Sequence, residues 1–130
     1  MENDILLVEE NTEIRKNIAA LLREEGYTVV ESDCGVKAVE MVRRKLPSLI
    51  ICETVMHCMD GYEVFLALFK TLFYDRIPFI YFIGHADSKT ARVLSIENYS
   101  GEQFQEGDLL RCVKDCLPKD QVLSMPSIGA

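Results

Sequence analysis

Short apolar runs alternate with longer amphipathic stretches along most of this chain. Continuous aliphatic runs are typical of strands buried in a parallel sheet, whereas apolar residues that recur every three or four positions predict helices. The predicted strands are 5–8, 27–31, 49–52, 78–83 and 96–100. The predicted helices are 12–25, 35–45, 62–73, 88–95 and 108–117. This alternation predicts an α/β fold, with five parallel strands in a doubly wound sheet and five helices on its two faces.

Capping and breaking residues mark the ends of the predicted elements. Asn11 is placed to cap the first helix, and Gly26 is placed to end it with a positive φ angle. Pro47 prevents the second helix from continuing. Residues 119–130 contain Ser, Pro and Gly without any periodicity, so they predict a flexible tail or the start of a linker after one domain over 1–118.

Composition and charge argue against two classes of protein, those that bind nucleic acids and those that span membranes. The chain has 130 residues and a formal net charge of -7, and no basic stripe is visible, which argues against a nucleic-acid surface. No apolar stretch is long enough to cross a bilayer, and the first residues lack the features of a signal peptide. A cytoplasmic protein with no membrane partner is therefore expected.

The cysteines give little indication of a metal-binding or reactive site. The five cysteines form no CxxC motif, and Cys112 and Cys116 lie four positions apart on a predicted helix, where core packing is the simpler interpretation. His57 beside Cys58 leaves one alternative open, a redox or metal sensor. No base or orienting acid is recognisable around Cys58, which disfavours a nucleophilic site.

Acidic residues follow two of the predicted strands. Glu9 and Glu10 come directly after the first strand, and Glu53 follows the third. Parallel strands end at the same edge of a sheet, so the three carboxylates are expected to share one pocket. Such a cluster raises at least one pKa or holds a divalent cation such as Mg²⁺ weakly through its oxygens. The alternative is that these side chains splay into water and bind nothing, and weak or no metal binding is favoured over a tuned metal site.

The layout resembles the receiver domain of two-component response regulators, which has a flavodoxin-like fold, over residues 4–117. The resemblance rests on an acidic pair after strand one, a proline before strand three and a turn after it. These residues are Val8, Glu9, Glu10, Asn11, Pro47, Glu53, Met59, Asp60 and Gly61. It also places Tyr99 at the family's aromatic switch position and Phe104 in its Lys-Pro-Phe turn.

The residues that carry the family's chemistry differ in this chain. Glu53 stands where the family has its phosphorylated aspartate, Ile83 where it has Ser or Thr, and Glu102 where it has lysine. His57 and Gln103 each replace a proline. The longer Glu53 side chain displaces the attacking oxygen, and one cation and one hydroxyl are missing, so normal phosphorylation is not expected. Partial mimicry of the phosphorylated state by Glu53 is an alternative.

The resemblance therefore implies a degenerate receiver, or pseudo-receiver, that signals by protein–protein interaction and is not an enzyme. Expected partners are a sensor kinase, another receiver or an output domain, contacted through the fourth helix, fifth strand and fifth helix. A homodimer is an alternative, through that face or through Leu66, Phe69 and Phe73 on the third helix. A phosphorylatable, Mg²⁺-binding response regulator is the second hypothesis for function, and the Cys58/His57 sensor is the third.

Overall fold

The structure is a computed structural model that describes residues 4–57, 59, 61–72, 77–84, 91–97 and 108–117. It contains five strands and four helices in these ranges. The strands are β1 (Asp4–Val8), β2 (Thr28–Ser32), β3 (Leu49–Glu53), β4 (Phe79–Gly84) and β5 (Ala91–Glu97). The helices are α1 (Thr12–Glu24), α2 (Gly35–Arg44), α3 (Gly61–Leu72) and α4 (Leu109–Cys116).

The strands form one sheet in the order β2-β1-β3-β4-β5, and the pairings among the first four strands are parallel. Helices α1 and α4 pack on one face with a cluster that includes Ile5, Leu7 and Ile51. Helices α2 and α3 cover the other face, together with Leu6 and Ile50. The predicted α/β architecture, a doubly wound parallel sheet between two helical layers, is confirmed for this part of the chain.

The central strands β1 and β3 are buried along their whole length. Their aliphatic side chains alternate between the two helical layers, so neither face of these strands meets water. This burial explains why both strands appear in the sequence as continuous apolar runs and not as alternating patterns. Because β1 and β3 pair from Ile5↔Leu49 to Val8↔Cys52, their carboxyl ends lie side by side.

The prediction for the fifth strand is wrong. Residues 91–95, expected in a helix over 88–95, belong to β5, which pairs antiparallel with β4 from Gly84↔Ala91 to Phe79↔Glu97. Residues 85–90 are too few for the crossover that a parallel strand needs, but they suffice for an antiparallel return. Val93 is fully buried opposite Phe82. The short apolar pattern of this segment fits either a helix or a strand, so the tertiary packing determines that it forms a strand.

The predicted signals at the ends of α1 are confirmed. The Ile14 backbone N–H donates to Asn11 Oδ1 over 2.9 Å, which satisfies one of the unpaired amides of the first turn. After the helix, Gly26 has φ 96°, a left-handed conformation that side chains with a Cβ adopt at a cost. These local features fix where α1 begins and ends, and so the direction in which the chain returns to β2.

Gly61 brings the first turn of α3 against the end of β3. Its N–H donates to the Thr54 carbonyl over 3.2 Å. A Cβ at this position would lie 2.7 Å from the Glu53 carbonyl oxygen, which is closer than van der Waals contact allows. The absence of a side chain at Gly61 therefore sets the distance between α3 and the strand end that carries Glu53.

Some predictions fall outside the described residues. They concern the tail over 119–130, Cys58, Asp60, Phe73 and the positions in 98–107 that include Tyr99, Glu102 and Phe104. Among the helices that are described, none is both long and apolar enough to cross a membrane.

Replacement of Gly61 by alanine tests the close approach of α3. We expect Gly61→Ala to lower the free energy of unfolding by roughly 1–3 kcal/mol, because the added methyl group forces the helix away from β3. Urea unfolding followed by circular dichroism measures this loss. Tyr62→Ala, at an exposed position in the same turn, serves as the control and should cost less. Equal losses in the two variants would contradict this explanation.

Candidate acidic site at the carboxyl edge of the sheet

Glu9 and Glu53 meet at the carboxyl edge of the sheet. Glu9 follows β1 and Glu53 is the last residue of β3, and the two strands pair up to Val8↔Cys52. Both side chains are buried, with Glu9 2% and Glu53 7% exposed. The structure thus places two of the three predicted carboxylates next to each other and away from water, where two negative charges repel strongly.

Glu9 holds its proton far more tightly than an ordinary glutamate. Burial, followed by the hydrogen bond and negative charge of Glu53, raises its pKa from 4.5 to about 8. The Asn11 N–H opposes this shift by donating to Glu9 Oε2 over 2.9 Å. The other oxygen, Oε1, is buried and has no donor among the described residues. With this raised pKa, Glu9 is mostly protonated at neutral pH.

Thr54 supplies a hydroxyl beside Glu53, and sequence reasoning missed it. Its Oγ1 lies 3.3 Å from Glu53 Oε2 and 3.2 Å from the Phe82 carbonyl oxygen. A hydroxyl has one hydrogen, so it donates to only one of these acceptors at a time. The Thr54 N–H also donates to the Phe82 carbonyl, which fixes this residue against β4. The signal available in the sequence was a residue with a hydroxyl group directly after Glu53, the last residue of β3.

Both carboxylate oxygens of Glu10 are in contact with His57. The His57 backbone N–H donates to Glu10 Oε1 over 3.0 Å, and His57 Nδ1 lies 2.6 Å from Oε2. The backbone hydrogen bond, with the ring contact, holds the pKa of Glu10 below its ordinary value. The predicted trio is therefore divided into Glu9 with Glu53 and Glu10 with His57. Sequence reasoning did not connect His57 to Glu10.

Arg15 forms a hydrogen bond to the backbone of Glu9, which follows β1. Its Nη1 donates to the Glu9 carbonyl over 2.8 Å, and its Nε donates to Glu31 Oε1 over 3.1 Å. Burial works to raise the pKa of Glu31, but hydrogen bonds from Lys16, Arg15 and Arg23 lower it overall. The ion-paired Glu31 in β2 and the Arg15 of α1 thus hold the turn after β1 in place. No pattern in the sequence marked Arg15 for this role.

The remaining predicted positions contribute less to this site. Ile83 lies near the end of β4 with its side chain partly exposed. Cys112 is buried in the core, as predicted, and Cys116 packs against the same cluster. Burial raises the pKa of Cys112 to about 11 and that of Cys116 to about 12, so both thiols stay protonated and unreactive at neutral pH.

The chemistry of the pair suits a hard cation. Glu9 and Glu53 offer carboxylate oxygens, and the unpaired Glu9 Oε1 is a ligand of the type that Mg²⁺ prefers. Within the described ranges, no group of three His, Cys, Asp or Glu side chains is arranged to hold a metal ion. A cation at this pair would rely on two carboxylates and water, and it would compete with the proton on Glu9.

The raised pKa of Glu9 predicts an unusual pH dependence of stability. The folded-state pKa of Glu9, about 8, lies above its ordinary value of 4.5. The resulting stabilisation is complete below about pH 4.5 and is lost as the pH rises to about 8. Thermal unfolding between pH 5.5 and pH 8.5 should therefore show a falling Tm.

Two variants test whether the titration of Glu9 causes this pH dependence. Glu9→Gln imitates the protonated side chain and should flatten the fall in Tm, while Glu40→Gln, at an exposed position on α2, should leave it unchanged. If Glu9→Gln keeps the wild-type slope, then Glu9 is not the group that titrates.

Comparisons with known proteins agree with this geometry. The family model described as "Response regulator receiver domain" matches residues 5–100. Sensor kinase CckA of Brucella abortus is 32% identical over 120 residues, which make up 88% of this chain and 12% of CckA. Transcriptional regulatory protein ZraR of Klebsiella oxytoca is 36% identical over 88 residues, which make up 68% of this chain and 19% of ZraR. This chain therefore spans less than a fifth of either relative.

A solved structure supports the same assignment. The signal receiver domain of a histidine kinase from Syntrophus aciditrophicus matches with a TM-score of 0.57 and 30% identity, over 61% of this chain and 60% of that one. The chain belongs to the response regulator receiver domain family, the signalling module of two-component systems.

Proposed function

We propose that this receiver domain is a pseudo-receiver. It acts in two-component or phosphorelay signalling by binding other proteins, and it does so without normal phosphorylation at position 53. It performs no catalysis of its own and works in the cytoplasm. Regulation then comes from partner binding, oligomerisation or a ligand.

The contact between Glu10 and His57 carries this proposal. In the family that the chain resembles, the acidic pair after strand one holds Mg²⁺, and the position of His57 is a proline. Proline has no backbone N–H, whereas the His57 N–H donates to Glu10 Oε1 over 3.0 Å. The change at position 57 thus creates a donor that occupies Glu10, and both oxygens of that carboxylate are engaged away from Glu9 and Glu53.

The state of Glu53 supports the same conclusion. Phosphoryl transfer needs an exposed attacking oxygen, a cation and in-line geometry. Glu53 is buried beside Glu9 and lies within hydrogen-bonding distance of Thr54. Ile83 presents hydrocarbon at the position where the family has a hydroxyl. Each of these features removes part of what the reaction requires.

Metal binding is a separate question from phosphorylation. Glu9 and Glu53 are the residues that would hold Mg²⁺, which when bound would offset the negative charge of the pocket. The raised pKa of Glu9 means that the metal must displace a proton at neutral pH, and this competition weakens binding.

The partners that we propose are a sensor kinase, another receiver or an output domain. The two relatives described above are a sensor kinase and a transcriptional regulatory protein by their names, and this chain corresponds to a small part of each. The contact surface would be formed by β5 and α4, since the predicted fourth helix is replaced by β5. The alternative homodimer uses Leu66 on α3, whose side chain is half-buried.

A phosphodonor assay separates this proposal from a phosphorylatable response regulator. We expect no phosphoryl adduct when the protein is incubated with acetyl phosphate and Mg²⁺ and then weighed intact by mass spectrometry. A receiver domain with the ordinary aspartate, treated in parallel, verifies that the donor is active. A phosphoryl adduct that disappears in Glu53→Gln would overturn the proposal.

Substitutions at His57 test whether this residue diverts Glu10. His57→Ala removes the ring but keeps the N–H, while His57→Pro removes both donors. The affinity for Mg²⁺ should rise in the order wild type, His57→Ala, His57→Pro, by roughly tenfold in total, because a further carboxylate becomes free to bind the cation. Isothermal titration calorimetry measures the series. The diversion of Glu10 is refuted if the three proteins bind Mg²⁺ equally.

A further inference from the structure

A groove lies at the amino end of the sheet, at the opposite end of β1 from the acidic pair. It has a volume of about 220 Å³ and runs between the start of β1, the edge strand β2 and the end of α2. Its apolar lining consists mainly of Leu6, Val30, Met41, Leu46 and Pro47. Leu46 is 52% exposed and Val30 is 39% exposed, so the groove presents aliphatic surface to any segment that lies against it.

One positive charge at the groove has no opposite charge beside it. The charged residues of the lining are Asp4, Arg44 and Lys45, and Lys45 Nζ lies 3.0 Å from Asp4 Oδ2. Arg44, by contrast, forms no ion pair with any residue that the structure describes. The groove therefore combines aliphatic surface with one uncommitted cation. This combination is complementary to a segment in which an acidic residue lies next to aliphatic residues.

The last helix ends close to this groove. Leu117 follows α4, and its carbonyl accepts a hydrogen bond from the Tyr27 hydroxyl over 3.4 Å. Tyr27 directly precedes β2, whose first residue, Thr28, pairs with Asp4 of the groove. Among the described strands, β2 lies at one edge of the sheet, so a chain that continues from Leu117 can pass around this strand without crossing the sheet.

The sequence after Leu117, which lies outside the described residues, has the composition that is complementary to the groove. Residues 118–123 are Pro-Lys-Asp-Gln-Val-Leu, in which Asp120 is followed closely by Val122 and Leu123. An extended chain spans about 3.3–3.6 Å per residue, so residues 118–120 cover about 10 Å. Three residues of strand rise by about the same distance, which brings the segment from the start of β2 to the groove.

We infer that residues 120–123 dock in this groove, with Asp120 paired with Arg44 and with Val122 and Leu123 against Val30 and Leu46. The link from α4 is short, and short links give effective concentrations in the millimolar range. A contact that would have a dissociation constant of about 1 mM between separate molecules is therefore enough for about half occupancy within one chain. The inference does not rest on the pseudo-receiver proposal.

Backbone relaxation of the full ¹⁵N-labelled chain tests the docking. The order parameters of Val122 and Leu123 are expected to lie above about 0.6, the value below which a backbone is flexible. Nuclear Overhauser contacts from the methyl groups of Leu123 to those of Val30 or Leu46 should locate the segment in the groove. Both signals should be independent of protein concentration, because the contact is made within one chain.

Matched substitutions separate the groove from the rest of the surface. Leu46→Ser should lower the equilibrium constant for docking about fivefold, because the segment then covers less aliphatic surface. Val36→Ser alters an aliphatic side chain that is 51% exposed outside the groove, and it should leave docking unchanged. Both positions are exposed, so neither variant is expected to unfold the domain.

A second pair of variants tests the charge. Arg44→Glu should weaken docking by about two- to fivefold, which is the effect of one exposed ion pair. Arg43→Glu changes the same charge at an exposed neighbour outside the groove lining, and it should have a smaller effect. The double substitution Arg44→Glu with Asp120→Arg should restore docking, because it reverses both charges of the proposed pair.

Five results would overturn the inference. They are order parameters below about 0.6 at Val122 and Leu123, ordering that appears only as the protein concentration is raised, equal effects of Leu46→Ser and Val36→Ser, equal effects of Arg44→Glu and Arg43→Glu, and no recovery of docking in the double variant. Ordering that depends on concentration would identify a second copy of the chain as the source of the docked segment.

Discussion

The parallel pairing of β1 with β3 is the constraint on which the site depends. Both strands are buried on both faces, so their register is held by packing against two helical layers. That register places Glu9 against Glu53 at one edge of the sheet. Burial, together with the neighbouring Glu53, raises the pKa of Glu9 to about 8. The chemistry of the pocket is thus a consequence of how two apolar strands pair.

Neighbouring residues form hydrogen bonds to the acidic residues at this edge. Arg15 holds the backbone of Glu9, and His57 holds Glu10 through its N–H and its ring. Thr54 offers a hydroxyl to Glu53 and fixes the end of β3 to β4. Each contact lowers the cost of burying or crowding negative charge. Together they explain how this receiver keeps its fold while several residues of the family's phosphorylation chemistry are changed.

The two ends of the sheet differ in character. The carboxyl end holds the acidic pair and the loops that engage it, while the amino end holds the apolar groove around Asp4. About 13 Å of extended chain separates the first and last residues of β1, which belong to these two ends. The antiparallel β5 also changes one edge of the sheet, where the family's pattern predicted a helix and a parallel strand. This edge of the sheet therefore differs from the one that the resemblance alone implied.

The sequence by itself determined the central strands, the ends of α1 at Asn11 and Gly26, and the placing of acids at one edge, because burial periodicity and caps are local properties. Only the tertiary structure decided the direction of β5, since short segments take their conformation from the strand they pair with. The tertiary structure also brought His57 into contact with Glu10, 47 positions away along the chain, and it buried Glu9 beside Glu53. Such contacts depend on the relative placement of loops and strand ends, which no local pattern encodes.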